Sequence, residues 1–229
     1  MININNFSVL SKLYFNLKYS YKKLYQNSNF YDKKISKTRN NHFEYKPSPY
    51  LLSSIIKYQN KKYKIEDFVL ESIWQNNIDF KDFKKLNNFF WFFSLDLKSS
   101  KETTQSVITN WIKNNDRYDS RSWDFDITSK RIISWLSTHR LTYEDANLEY
   151  RVKFDHIIQK QANHILNEIN NSNIVENKMI GCAAIILTGL AYKDDKNYLN
   201  NGLSLLKKII KSSIDNQGFP KSRSIKQLN

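Results

Sequence analysis

MIGCAAIILTGL, residues 179–190, is the stretch that decides the fold. Met179, Ile180, Cys182, Ala183, Ala184, Ile185, Ile186, Leu187 and Leu190 are spread nearly all round a helix. That predicts a short central helix covered by neighbours on more than one side, with Gly181 and Gly189 permitting close approach. Both flanks are amphipathic. Upstream, Tyr150, Phe154, Ile157, Ile158, Gln161, Ile165, Leu166 and Ile169 keep one face of a helix expected near Thr142 to Ile169, with Thr142 and Asp145 resembling a capping pair. Downstream, Leu199, Leu203, Leu206, Ile209 and Ile210 predict the inward face of a helix from Tyr198 to Ile214. Alternation of amphipathic helices with a more apolar one is the pattern of stacked helix pairs in a solenoid or toroid. No repeat of fixed length accompanies it, so the architecture rests on pattern.

Further upstream, Phe83, Leu86, Phe89, Phe90, Phe93 and Leu97 mark one helical face that Trp91 widens, an aromatic stripe expected in the core. Val107, Ile108, Trp111 and Ile112 follow Thr103 and Thr104, candidate caps. Ser122 to Leu136 carries Trp123, Ile132, Ile133, Trp135 and Leu136. Residues 80–229 are therefore expected to form one all-α domain, a partial (α/α) toroid of helix hairpins. Ahead of it, residues 47–79 read as an extended or mixed linker. Pro47 and Pro49 push their predecessors towards extended geometry, and Tyr63, Ile65 and Phe68 fit a short strand or hairpin. Residues 1–46 form a basic, partly irregular amino-terminal segment with nine Lys and Arg against Asp32 and Glu44, a net +7. Within it, Leu10, Leu13, Tyr14, Leu17, Tyr21, Leu24 and Tyr25 keep helical spacing. This amphipathic helix is expected to pack on the domain, the alternative being a membrane surface.

The chain has 229 residues, of which 40% are hydrophobic and 25% charged, ordinary usage for a globular protein with a real core. Four glycines and three prolines are too few for a sandwich or barrel with many tight turns. Cys182 has no partner for an internal disulfide and sits in an apolar run, the place of a small core residue and not of a nucleophile. No apolar run is long enough to cross a membrane and no secretory signal is visible. The net charge of +14 suits nucleic acid, but the excess is mostly Lys, where bidentate phosphate or base contacts use Arg. With abundant Asn, Ile and Tyr it reads as the codon drift of an AT-rich genome, and nucleic acid is the less favoured partner.

Glycine-rich phosphate loops, metal-spaced Cys and His clusters and nucleophile elbows are all missing, so no metal or cofactor is expected. His42, His139, His156 and His164 are scattered and read as surface or satisfied histidines. The spacing of Asp124 and Asp126 does not put both carboxylates on one helical face. Two polar segments border the apolar helices: NIVENK, 173–178, and DNQGFPKSRS, 215–224. Loops at helix ends in an array collect on one side and can form a groove.

WDFDITSKRIISW (123–135), ENKMIGCAAIILTGLAY (176–192) and GLSLLKKIIKSSIDNQGFPKSRS (202–224), in that order, resemble the helical amino-terminal region of the heparinase II/III family of polysaccharide lyases and its bacterial relatives. The resemblance spans roughly Leu86 to Ser224, and no single motif in it is strong. It implies an incomplete helical toroid followed by a β-sandwich, with acidic polysaccharide cleaved between them by β-elimination. Such chemistry needs a neutraliser for the uronic carboxylate, a base and an acid. The family's Gly-Asn-His element aligns its Asn with Asn177, the candidate catalytic residue. Glu176 replaces the Gly and Lys178 the His. Lys178, Lys221 and Arg223 are the candidate substrate-binding cations. Asn216, Gln217 and Gly218 stand where the family has an Asp-Gly-Gly turn. The Tyr-His pair and the β-sandwich are not in the sequence, which implies a fragment inactive by itself.

Three functional classes follow: the helical half of a heparinase II/III-like lyase, a non-catalytic binding or scaffold module that has lost lyase chemistry, and a basic nucleic-acid binder. The missing signal implies the cytoplasm and the family resemblance the periplasm; oligomeric state is open.

Overall fold

A computed structural model describes residues 4–38, 80–94, 101–192 and 196–221. The linker at 47–79 with its expected strand, Leu97 and Arg223 lie outside the described residues. Those residues form helices α1 (Ile4–Gln26), α2 (Asn29–Ile35), α3 (Phe80–Asn87), α4 (Lys101–Asn115), α5 (Phe125–Ser137), α6 (His139–Thr142), α7 (Leu148–Glu168), α8 (Val175–Ala191) and α9 (Lys196–Ser213). Two 3-10 segments, Phe90–Ser94 and Ile169–Asn171, complete them. No strand occurs among the described residues beyond an isolated antiparallel bridge between Ile214 and Pro220. The described residues are all-α, as composition and periodicity predict.

The most deeply buried element is α5, and not the apolar α8 that hydropathy alone puts at the centre. Ten of its thirteen residues are buried, among them Thr128, Ser129, Arg131, Ser134 and Ser137. A buried polar group is tolerated when its hydrogen bonds are made inside the protein. Ser129 Oγ donates to Phe125 O at 2.7 Å and Ser134 Oγ to Phe89 O at 2.6 Å. Asp124 caps the helix, accepting from Asp126 N and Ile127 N. Around α5 the rings of Phe89, Trp111, Trp135 and Phe154 pack in sequence, Trp111 edge-on to Trp135 at 5.5 Å and Trp135 stacked on Phe154 at 5.8 Å. These four side chains are fully buried.

Helices α8 and α9 pair along most of their length, and glycine sets their separation. A Cβ on Gly189 would lie 2.4 Å from the Leu199 backbone nitrogen, and one on Gly202 would lie 2.7 Å from Ile186. The pairing face of α9 therefore runs through Leu199 and Gly202, while Leu203 and Ile210, expected inward, are exposed.

Three other local expectations are corrected. The long helix begins at Leu148, where the Asn147 side chain accepts from Tyr150 N at 2.8 Å. Thr142 ends the short α6 instead, and Asp145 occupies the left-handed region at φ 61°. The aromatic stripe from Phe83 is not one helix: Phe89, at φ 57°, breaks it into α3 and a 3-10 segment. Thr103 and Thr104 lie inside α4 and are not its caps.

The largest correction concerns α1. Leu13, Tyr14, Leu17, Tyr21 and Leu24, expected against the domain, are 52% to 73% exposed. Helix α1 docks instead at its carboxyl end, through polar groups and through Tyr25, the one described side chain of that stripe to pack on the core, against Tyr31.

Candidate functional site

Lys22 of α1 forms an ion pair with Glu168 at the end of α7. One turn on, Gln26 Nε2 donates to Glu168 Oε1 at 2.8 Å, and the Tyr118 hydroxyl donates to Gln26 Oε1 at 2.9 Å. A cleft of about 410 Å³ opens beside this chain of contacts, walled by α1, by the stretch from Tyr118 to Asp126, by the end of α7 and by the first turn of α8.

His164 lies at its floor, fully enclosed. The Trp123 carbonyl can only accept, so His164 Nε2 carries the hydrogen and donates to it at 2.8 Å. Nδ1 then accepts from the Tyr31 hydroxyl at 2.8 Å. Burial pushes the His164 titration down to about 3. The ring is neutral near pH 7 and both nitrogens are occupied, which suits a packing element and not a proton shuttle. Burial, aided by the Glu168 carboxylate, holds the Tyr118 phenol protonated well above its ordinary range.

Lys22, Lys23 and Lys84 face Asp124, Asp126 and Glu168 across the cleft, a formal balance. The carboxylates are committed, however. Asp124 caps α5, Asp126 pairs with Lys130 at 2.8 Å and Glu168 pairs with Lys22. Lys23 and Lys84, with no ion pair to a described residue, leave the available charge positive. The exposed ring of Tyr19 adds an apolar surface beside them. Such a site can hold an anionic ligand that also accepts or donates hydrogen bonds.

Asn177, in the first turn of α8, lines this cleft and is half-buried. Lys178, the next residue, is half-buried but is not part of the lining. Lys221 is exposed beyond α9, where its Nζ donates to Lys211 O at 3.0 Å. Of the candidate residues that are described, the cleft gathers Asn177 alone. Sequence reasoning missed Lys22, Tyr118 and Glu168, which meet across 146 positions and carry no local motif. A histidine on the apolar face of α7 was the one available sign of His164.

Buried charge elsewhere is structural. Arg131 is enclosed, its guanidinium donating to Asn87 O, Ser122 O, Gln161 Oε1 and Thr128 Oγ1 while lying 3.9 Å from the Trp111 ring centre. Lys160 pairs with Asp32 at 2.8 Å and joins α2 to α7. Cys182 is buried and its thiol is pushed up to about 11, the reverse of what an attacking thiolate needs. Among the described residues no group of three or more His, Cys, Asp or Glu side chains is placed to hold a metal ion, and no helix is long and apolar enough to cross a membrane.

Comparison with known proteins finds no family model that matches the chain, no curated relative and no solved structure similar to it.

Proposed function

We propose that these helices are the groove-forming half of a heparinase II/III-like protein, part of an α/α toroid, and that they bind acidic polysaccharide without cleaving it by themselves. The observation that carries this reading is the presence of Asn177 in one cleft with Lys23 and Lys84. An amide and two cations without described counter-ions suit a ligand bearing carboxylate or sulfate among hydroxyls, and the Tyr19 ring offers a surface for a sugar face. Inactivity follows from the proton inventory: His164 is neutral and fully hydrogen-bonded, and Tyr118 holds its proton. Neither serves as the base that β-elimination needs.

Isothermal titration of the chain with heparan sulfate and alginate, with a neutral glucan as control, tests the reading. Binding to the acidic chains alone is expected, about tenfold weaker in a Lys23→Gln/Lys84→Gln variant and also weaker in Asn177→Ala. Equal affinity for the neutral glucan, or no binding at all, overturns it. Release of unsaturated uronide by the isolated chain would overturn the non-cleaving part and favour a complete lyase.

A further inference from the structure

The basic side of α1 continues the cleft beyond its walls. Lys12, Phe15, Tyr19, Lys22, Lys23 and Gln26 fall within an arc of about 100° on an α-helix, set by 3.6 residues per turn. The last four line the cleft. Phe15 and Lys12 stand on the same face one and two turns beyond Tyr19, about 6 Å and 10 Å along the axis. The rings of Phe15 and Tyr19 are 64% and 69% exposed, and Lys12 is exposed as well. Cation and ring therefore alternate outward from the cleft as Lys23, Tyr19, Phe15 and Lys12. Residues 4–26 contain no acidic side chain, so no carboxylate of the helix offsets these charges.

A row of cations separated by flat apolar rings suits a polyanion whose units also present a flat apolar face. Two kinds of polymer have that form, an acidic polysaccharide and a single-stranded nucleic acid. The cleft wall favours the first. It carries Asp124 and Asp126, whose carboxylates keep acceptor capacity beyond the helix cap and the ion pair they make. Sugar hydroxyls can donate to them, whereas a phosphodiester chain brings no donor and is repelled.

We infer that the cleft is one end of a longer binding track: an acidic polysaccharide held at Lys23 continues along α1 across Tyr19 and Phe15 to Lys12, so that several consecutive sugar units are bound. This rests on the polysaccharide reading of the cleft and adds to it a dependence on ligand length.

Isothermal titration of the full chain with a heparin-derived tetrasaccharide and a decasaccharide tests it. The shorter ligand fills the cleft and the longer one also covers the track. The decasaccharide should therefore bind at least about tenfold tighter, beyond the gain from its greater number of registers. A Lys12→Gln/Phe15→Ala variant should bind the decasaccharide about tenfold more weakly and the tetrasaccharide as the parent does. Both side chains are exposed, so its circular dichroism should match the parent. Equal affinity for the two lengths overturns the track while the cleft reading stands. So does a variant that leaves the decasaccharide unaffected or weakens both ligands alike. Binding of neither ligand overturns both. Oligo(dT) bound more tightly than the decasaccharide assigns the face to nucleic acid and overturns the inference too.

Discussion

Thr128, Ser129, Arg131 and Ser134 of α5 are withdrawn from water, whereas Leu17, Tyr21 and Leu24 of α1 stand in it. Both helices are amphipathic by spacing, so spacing does not distinguish them. What separates them is where their polar groups find partners. Arg131 and Ser134 reach the carbonyls of Asn87, Ser122 and Phe89, which leaves α5 free to be surrounded. In α1 the partners of Lys22 and Gln26 are the Glu168 carboxylate and the Tyr118 hydroxyl, which hold the carboxyl end of the helix while Leu17, Tyr21 and Leu24 stay in solvent. Polar contacts of this kind secure one end of a helix without burying the rest of it.

Removing the buried guanidinium is the strongest way to break this contrast. Arg131→Ala strands the Asn87, Ser122 and Gln161 acceptors and opens a void beside Trp111. A loss of about 4 kcal/mol in urea unfolding is expected, with Arg131→Met losing less because it keeps volume. A loss under 1 kcal/mol would mean that α5 is held by apolar contacts alone.

Acid probes the same interior next. His164 titrates near 3 when folded and near 6.5 when unfolded. The unfolded chain therefore binds the extra proton between those values, and stability is full above about pH 6.5 and falls as pH drops towards 3. Between pH 6.5 and 4 the decline due to this residue is about 3 kcal/mol by linkage, and a His164→Gln variant should lack that part of it. The difference between the two profiles is the measurement.

Gly189→Ala sets a Cβ against the Leu199 backbone, which cannot step aside without moving α9, so about 2 kcal/mol should be lost in thermal unfolding. Leu17→Asp, at the far end of the scale, should change solution stability by no more than about 0.5 kcal/mol. A larger cost there would show that the apolar face of α1 is covered in solution, and the comparison would collapse.

The amphipathic faces of α7 and the close pairing of α8 with α9 were legible because apolar periodicity and glycine report packing directly. Cys182 was legible for the same reason. The burial of α5 was not, since Ser, Thr and Arg read as surface residues until their acceptors are known, and those acceptors are backbone carbonyls with no sequence signature. The break at Phe89 was hidden too, because phenylalanine gives no sign of left-handed geometry. Of the cleft, Asn177 was found through the resemblance to a lyase family. Its companions Lys22, Tyr118 and Glu168 are brought together by tertiary folding, which no local window of sequence contains.

Phe89 has a consequence for the order of assembly. A non-glycine residue in the left-handed region is disfavoured by about 1 kcal/mol or more, and a bulky ring has no local hydrogen bond to offset this. Compensation comes from the slot between Trp111 and Trp135, two rings that are distant in the chain. Until α4 and α5 have met, the slot does not exist and the bend at residue 89 has nothing to hold it. The 3-10 segment therefore depends on a partnership made elsewhere in the bundle, while α3 is tied to that bundle directly through Asn87, which accepts from Arg131 and Trp111.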